Sequence, residues 1–323
     1  MNKPIAIIAG EPNSISSEIL FKSWLLKKKY NHNPFFLIGS IKLLNLQKKK
    51  LNYKIKIKKI TLDFSKSDLK GNDLPVINVD YNQKKAFQKI SNKSNQYIIK
   101  CFDLALKLTK DKRIIGFINC PISKENLFNN KYQGVTEFLS KKSRNKGNEV
   151  MLIYNKKLSV SPITTHIPLS QVKSKINKNK IVKKVKIINT FFRKNLKKKP
   201  NFAILGLNPH NYSPLKNPEE KKFIKKAVKI LKKNKINVFG PIPADTSFVI
   251  AKKYKFDVII GMYHDQVLAP FKAIYNYDAV NITLGLPFVR VSPDHGIAKN
   301  IIGKKIANPN SLVESIKFFN NLN

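Results

Sequence analysis

The chain has 323 residues, a length that fits one large two-domain protein or two ordinary domains, and with 42 % of them hydrophobic there is ample material for a core. Its formal charge of +43 invites a nucleic-acid reading, yet of 62 basic residues only Arg113, Arg144, Arg193 and Arg290 are arginine, the side chain that makes bidentate phosphate and base contacts. Lysine spread over the whole length, with runs such as 27–29, 48–50 and 197–199 at expected helix ends or loops, reads as solvated surface, so no nucleic-acid partner is expected.

In chain order, Ile5–Ala9 reads as a first strand. Ser16 and Ser17 are then the expected cap of a helix with Glu18 in its first turn. Further strands are expected over 35–38, 54–60, 76–79, 114–119, 150–154, 159–164, 202–207, 238–242, 258–262 and 279–284. Long helices are expected over 83–110, 179–196, 217–234 and 308–321, and the Lys/Asn-rich stretch 172–184 keeps apolar residues at helical spacing. This alternation predicts an α/β protein with a largely parallel sheet.

Several absences narrow the chemistry. The twelve glycines never form G-x-G, and there is neither a G-x-x-x-x-G-K-[ST] phosphate loop nor a G-x-S-x-G nucleophile elbow. Any nucleotide must bind by other means. Cys101 and Cys120 have no metal or redox spacing and sit in apolar surroundings, as buried free thiols would. No run approaches the ~18 apolar residues of a membrane span. The start, MNKPIAIIAGEP, is too short an apolar stretch for a signal peptide. A cytoplasmic protein with no membrane partner is expected.

Three of the five histidines close apolar runs: His166 in SVSPITTHIPL, His210 in FAILGLNPHNY and His264 in DVIIGMYHDQ. Separations of 44 and 54 residues are no local metal motif. Ligands of open α/β sheets bind beyond the carboxyl ends of strands, however, and each histidine follows an expected strand. Three imidazoles without cysteine suit a catalytic metal with open positions rather than a closed structural zinc. Asp245 and Asp265 are placed to orient imidazoles from behind.

Other constellations stand beside this one. Lys272, Asn281 and Arg290 share one segment, and an arginine kept in a chain that otherwise uses lysine suggests bidentate binding of phosphate or carboxylate, against the alternative of a structural salt bridge. Asp294-His295-Gly296 opens a turn where an imidazole can meet a nucleotide base, or serve only the turn. GEPNSISSEI, residues 10–19, reads equally as an anion cradle at a helix start or a simple connection.

Taken together, GEPNSISSEI, INCPISKENL, QGVTEFL, TTHIPL, GLNPH, GPIPADTSF, GMYHDQVLAPFK and AVNITLGLPFVRVSPDHGIA resemble the 4-hydroxythreonine-4-phosphate dehydrogenase family of pyridoxal 5′-phosphate biosynthesis, in family order from residue 10 to about 300. The resemblance implies metal ligands at His166, His210 and His264, and substrate contacts at Thr136, Lys272, Asn281 and Arg290. It implies a two-domain α/β/α sandwich of the isocitrate/isopropylmalate dehydrogenase-like type, with the active site in the interdomain cleft of a homodimer that shares its sites. Residues 1–118 with 280–323 would bind the nucleotide, NAD or alternatively NADP, through Asp294, His295 and Gly296. Residues 119–279 would bind one divalent metal (zinc, cobalt or magnesium) and form the dimer. Three loops depart from the family: Val135 replaces a substrate-contacting histidine, Asn211-Tyr212-Ser213-Pro214 replaces a glycine-rich continuation, and Asn13-Ser14-Ile15-Ser16 replaces A-G-I-G.

The expected reaction is oxidation of 4-phosphohydroxy-L-threonine at C3 with metal-assisted decarboxylation, with Lys272, or a water near Asp245, as proton acceptor. Two alternatives remain open from the residues. One is a paralogous dehydrogenase for another phosphorylated hydroxy acid or a dihydrodiol. The other is a nucleic-acid-binding protein on a degenerate enzyme fold.

Overall fold

Strands form where short apolar, largely β-branched runs meet turn residues. The computed structural model describes residues 3–29, 33–128, 132, 134–212, 214, 218–276, 278–320 and 322. Among them the strands are β1 (Ile5–Ile8), β2 (Phe35–Gly39), β3 (Ile57–Ile60), β4 (Leu74–Asn78), β5 (Gly116–Asn119), β6 (Val150–Tyr154), β7 (Ser159–Pro162), β8 (Phe202–Leu205), β9 (Val238–Ile242), β10 (Val258–Gly261), β11 (Val280–Leu284) and β12 (Val289–Pro293). The first eleven lie where the sequence predicts strands. β12 was not anticipated, because Pro287 and Pro293 frame it and proline reads as loop.

The chain divides into two compact units, Met1–Leu139 with Pro287–Asn321 and Ser140–Leu286 with Leu322–Asn323. Residues 119–139 thus go with the first unit, where Phe138 packs edge-on against Phe102 at 5.6 Å. In the first unit the strands run β3-β4-β2-β1-β5-β12 and every pair is parallel. All four residues of β1 are buried, as both faces of a covered parallel sheet require. In the second unit the order is β11-β6-β7-β10-β8-β9, parallel except for β6, which runs against β11 and β7.

Three helix expectations need correction. The helix expected over 83–110 begins at Asn95, because the preceding stretch is bound to the loop after β1: Gln88 N and Gln83 Nε2 donate to Asn13 Oδ1 at 2.8 and 3.2 Å, and Ser94 Oγ donates to the Glu11 carboxylate. Such side-chain bonds compete with helix formation. Ser16 and Ser17 do not cap the helix Ser16–Leu26. They lie inside its first turn, and Glu18 accepts instead from Ala307 N at 2.7 Å and Lys22 Nζ at 2.8 Å. The stretch 172–184 is not continuous helix. Leu169–Lys175 ends at extended Ile176, and Asn177 caps Lys178–Asn195 by accepting from Lys180 N at 2.8 Å.

Alternate residues of the second unit's strands, among them Ile153, Val160, Ala203, Leu205 and Ile259, form a core with Val267, Leu268 and Phe271 of the helix His264–Tyr275. That packing fixes the helix on the sheet with its first residue just beyond β10. No helix of the described residues is long and apolar enough to cross a membrane.

Candidate active site

In the second unit, β7, β10 and β8 are neighbours and parallel, and His166, His264 and His210 leave just beyond their carboxyl ends. Adjacent strands lie about 4.8 Å apart, so their exits are within reach of one another. The rings of His166 and His264 have centroids 5.7 Å apart. His264 Nδ1 is 2.7 Å from Asp265 Oδ1, and His210 Nδ1 is 3.4 Å from Asp245 Oδ2. His210 sits in a tight turn at φ +53° and is 77 % exposed. The single chain does not gather all three: among the described residues no three His, Cys, Asp or Glu side chains form a metal cluster.

The turn carrying His210 is held from below. Glu220 Oε1 accepts from Leu207 N and Asn208 N, both at 2.8 Å, and Asn208 Nδ2 donates to both Glu219 and Glu220 at 2.9 Å. Burial pushes both carboxyls up, but these hydrogen bonds outweigh it and hold each below the ordinary glutamate value. Glu220 opens a π turn, Glu220–Ile224, ahead of the helix Lys225–Lys233, so the helix expected over 217–234 starts irregularly where it serves this loop. Gly206 leaves room for Asn211, whose Oδ1 would lie 1.9 Å from a Cβ there. Lys272 is half-buried a little over two turns along the helix from His264. Asn281 lies on β11 opposite Ile153, its Oδ1 buried and without a hydrogen-bond partner. Ser213, part of the divergent loop, lies outside the described residues.

In the first unit, Arg290 on β12 is only 3 % exposed, and its Nε donates to Asn119 Oδ1 at 2.7 Å. Burial lowers its pKa to about 10, with Glu137 opposing. Desolvation and then Arg290 itself lower Lys124, again against Glu137. Two cations therefore lie near the Glu137 carboxylate, Arg290 at the start of β12 and Lys124 just after β5. Thr136 stands between buried Val135 and Glu137 in the helix Val135–Lys142. Beyond β12, Asp294 N donates to Ser311 Oγ at 2.8 Å, His295 Nδ1 lies 3.0 Å from Gly296 O, and nothing lies within 4 Å of where a Gly296 Cβ would be. The following loop is clasped by Lys22, which donates to Lys305 O at 3.0 Å and Ala307 O at 2.7 Å.

Asn119, Lys124, Glu219 and Glu220 were not singled out from sequence. Asn119 ends an expected strand and Lys124 follows it, which is the one signal that points to them. Cys101 and Cys120 are buried and free, and burial pushes both thiols up to about 12, far from a nucleophile's range.

The donor set fits a divalent cation. The carboxylate bonded to Nδ1 of His264 is the arrangement that directs Nε2 toward a metal, and at His210 the Asp245 carboxylate lies close to Nδ1 without a hydrogen bond. An open turn at Gly296, with its loop clasped to the first helix, fits a nucleotide.

Comparisons with known proteins show the family. The family described as pyridoxal phosphate biosynthetic protein PdxA matches residues 31–319. A 4-hydroxythreonine-4-phosphate dehydrogenase of Sulfurihydrogenibium sp. (strain YO3AOP1) is 39 % identical over 319 residues, 97 % of this chain and 96 % of its own. A protein of Oceanobacillus iheyensis provisionally named D-threonate 4-phosphate dehydrogenase is 31 % identical, with 97 % and 96 % covered. The solved 4-hydroxythreonine-4-phosphate dehydrogenase of Klebsiella pneumoniae has a TM-score of 0.85 at 28 % identity, covering 98 % of this chain and 96 % of that one.

Proposed function

Because the chain belongs to the PdxA family of pyridoxal phosphate biosynthetic proteins, we propose that it oxidises 4-phosphohydroxy-L-threonine at C3 with NAD and releases carbon dioxide from the resulting β-keto acid. The observation that carries the reading is the exit of His166, His264 and His210 from three adjacent parallel strands, two of them backed by carboxylates. These residues would hold one divalent cation, zinc, cobalt or magnesium. When bound, that cation supplies the positive charge that eases ionisation of a secondary alcohol and the loss of carbon dioxide, while NAD or NADP takes the hydride.

The chain's own side chains do the rest. Arg290 and Lys272 bind the substrate's anionic ends, and Thr136 and Asn281 orient it, since hydride transfer demands close alignment. The buried, unpartnered Oδ1 of Asn281 supports that role. Lys272, or water held by Asp245, accepts the proton. Asp294, His295 and Gly296 meet the nucleotide. A homodimer completes the metal set by bringing a histidine from a second copy. Large apolar side chains beside the histidine loops support it: Leu169, Tyr212 and Val249 are 70 %, 72 % and 81 % exposed. The enzyme works in the cytoplasm, where its two thiols stay reduced.

The test follows NADH absorbance with 4-phosphohydroxy-L-threonine, with and without chelator, on wild type and His210→Ala. Activity is expected only in metal-replete wild type; equal activity in both proteins overturns the metal assignment. Val135 favours a second reading, a different phosphorylated hydroxy acid such as D-threonate 4-phosphate, which the same assay distinguishes by substrate.

A further inference from the structure

The H-D-Q run contains one residue that the proposed chemistry does not use. Gln266 sits in the first turn of the helix His264–Tyr275, two residues after His264. Its Oε1 accepts from Met262 N at 2.6 Å, and its Nε2 donates to Gly206 O at 2.8 Å. Met262 directly follows β10 and Gly206 directly follows β8. The ladder between these strands has its last partners at Ile260 and Ile204. Beyond that point backbone no longer spans the gap, and the Gln266 amide does.

The neighbouring ties differ in kind. Thr164 N and Oγ1 both donate to Met262 O, at 3.1 and 2.8 Å, joining β7 to β10, and Gly206 N donates to Ile242 O at 3.0 Å, joining β8 to β9. The other two steps each include a backbone bond; at the step between the His264 and His210 loops the Gln266 side chain makes the link in this row across four strand ends. The chemistry demands an amide. The group must accept on one side and donate on the other, at a reach asparagine lacks. A carboxylate would face the Gly206 carbonyl with a second acceptor. Gly261 leaves space for the turn, since a Cβ there would meet Val267 Cγ1 at 2.6 Å and Gln266 Oε1 at 3.1 Å.

We propose that Gln266 is a positioning residue that sets the span between the His264 and His210 loops and so tunes the affinity of the metal site; this rests on the metal reading above. Groups one step behind metal ligands change affinity about 10- to 100-fold when lost.

The experiment measures Co²⁺ affinity of the purified full-length protein by chelator competition, together with the Co²⁺ absorption spectrum. It compares wild type, Gln266→Glu, Gln266→Leu, His210→Ala and the double variant His210→Ala/Gln266→Glu. Each Gln266 variant is expected to weaken binding at least tenfold and shift the spectrum, and Gln266→Glu is expected to add less than threefold once His210 is gone. If the leucine variant fails to fold, the near-isosteric glutamate variant carries the measurement. Unchanged affinity in a folded Gln266 variant, or equal losses with and without His210, overturns the proposal. Wild-type protein that binds no Co²⁺ overturns the metal reading instead.

Discussion

Replacing Arg290 with methionine separates a substrate-binding cation from a structural ion pair. Burial lowers the guanidinium well below its ordinary value, to about 10, with Glu137 opposing. At about 1.4 kcal/mol per pH unit, holding this charge inside the substrate-free protein costs about 3 kcal/mol. Because the folded pKa lies below the unfolded one, the cost is fully present below about pH 10, and stability rises as pH climbs from about 10 toward the ordinary guanidinium value. Methionine removes the cost and keeps much of the volume, but loses the 2.7 Å bond to Asn119, of a type that contributes about 1.5–3 kcal/mol. Lys124 stays beside Glu137. The opposing effects nearly cancel, so unfolding free energy should stay within about 2 kcal/mol of wild type while phosphate binding disappears. Half of a structural buried pair would instead cost about 3–5 kcal/mol on removal. Urea unfolding at pH 7, with and without inorganic phosphate, decides: phosphate should raise the wild-type midpoint and leave Arg290→Met unmoved. A loss above 3 kcal/mol with the phosphate effect intact would refute the reasoning.

Val135→His restores a donor that the family uses and should lower KM for 4-phosphohydroxy-L-threonine about ten- to a hundredfold, the effect of one hydrogen bond to a charged group; an unchanged KM in steady-state assays would favour the other phosphorylated substrate. Glu220→Gln places an amide against Asn208 Nδ2 and should cost about 1–2 kcal/mol at pH 7. Glu220 is held below 4.5 in the folded state, so its contribution is present above that pH and lost as pH falls through the folded value; a penalty that stays constant in denaturation curves at pH 7 and pH 3.5 would contradict this.

The strands were legible because each is a local pattern: four or five apolar residues bounded by turns, such as Ile5–Ile8 or Val258–Gly261. The sequence pattern fails where distant partners decide. Residues 83–94 have helical composition, yet Asn13, Pro12 and Glu11, about 75 positions away, take up their polar groups: Gln47 Nε2 donates to Pro12 O at 2.7 Å and to Ala86 O at 3.0 Å, stapling the two segments. The break at Ile176-Asn177 turns on one capping amide inside a Lys/Asn-rich run where every asparagine looks alike.

The histidines show the same division. That His166, His210 and His264 stand at strand ends is readable from the runs before them. That the three exits are neighbours is not, because it depends on strand order. In sequence His210 lies between the other two. In the sheet β10 inserts between β7 and β8, so the last histidine becomes the middle one. Hydrophobic pattern says that a strand is buried on both faces but not beside which partners, since Val258–Gly261 would satisfy a central position anywhere in a parallel sheet. The polar residues that act on this order, Gln266 across β10 and β8 and Glu220 under Asn208, acquire their roles only once it exists, and for that reason carry no signal of their own in the chain.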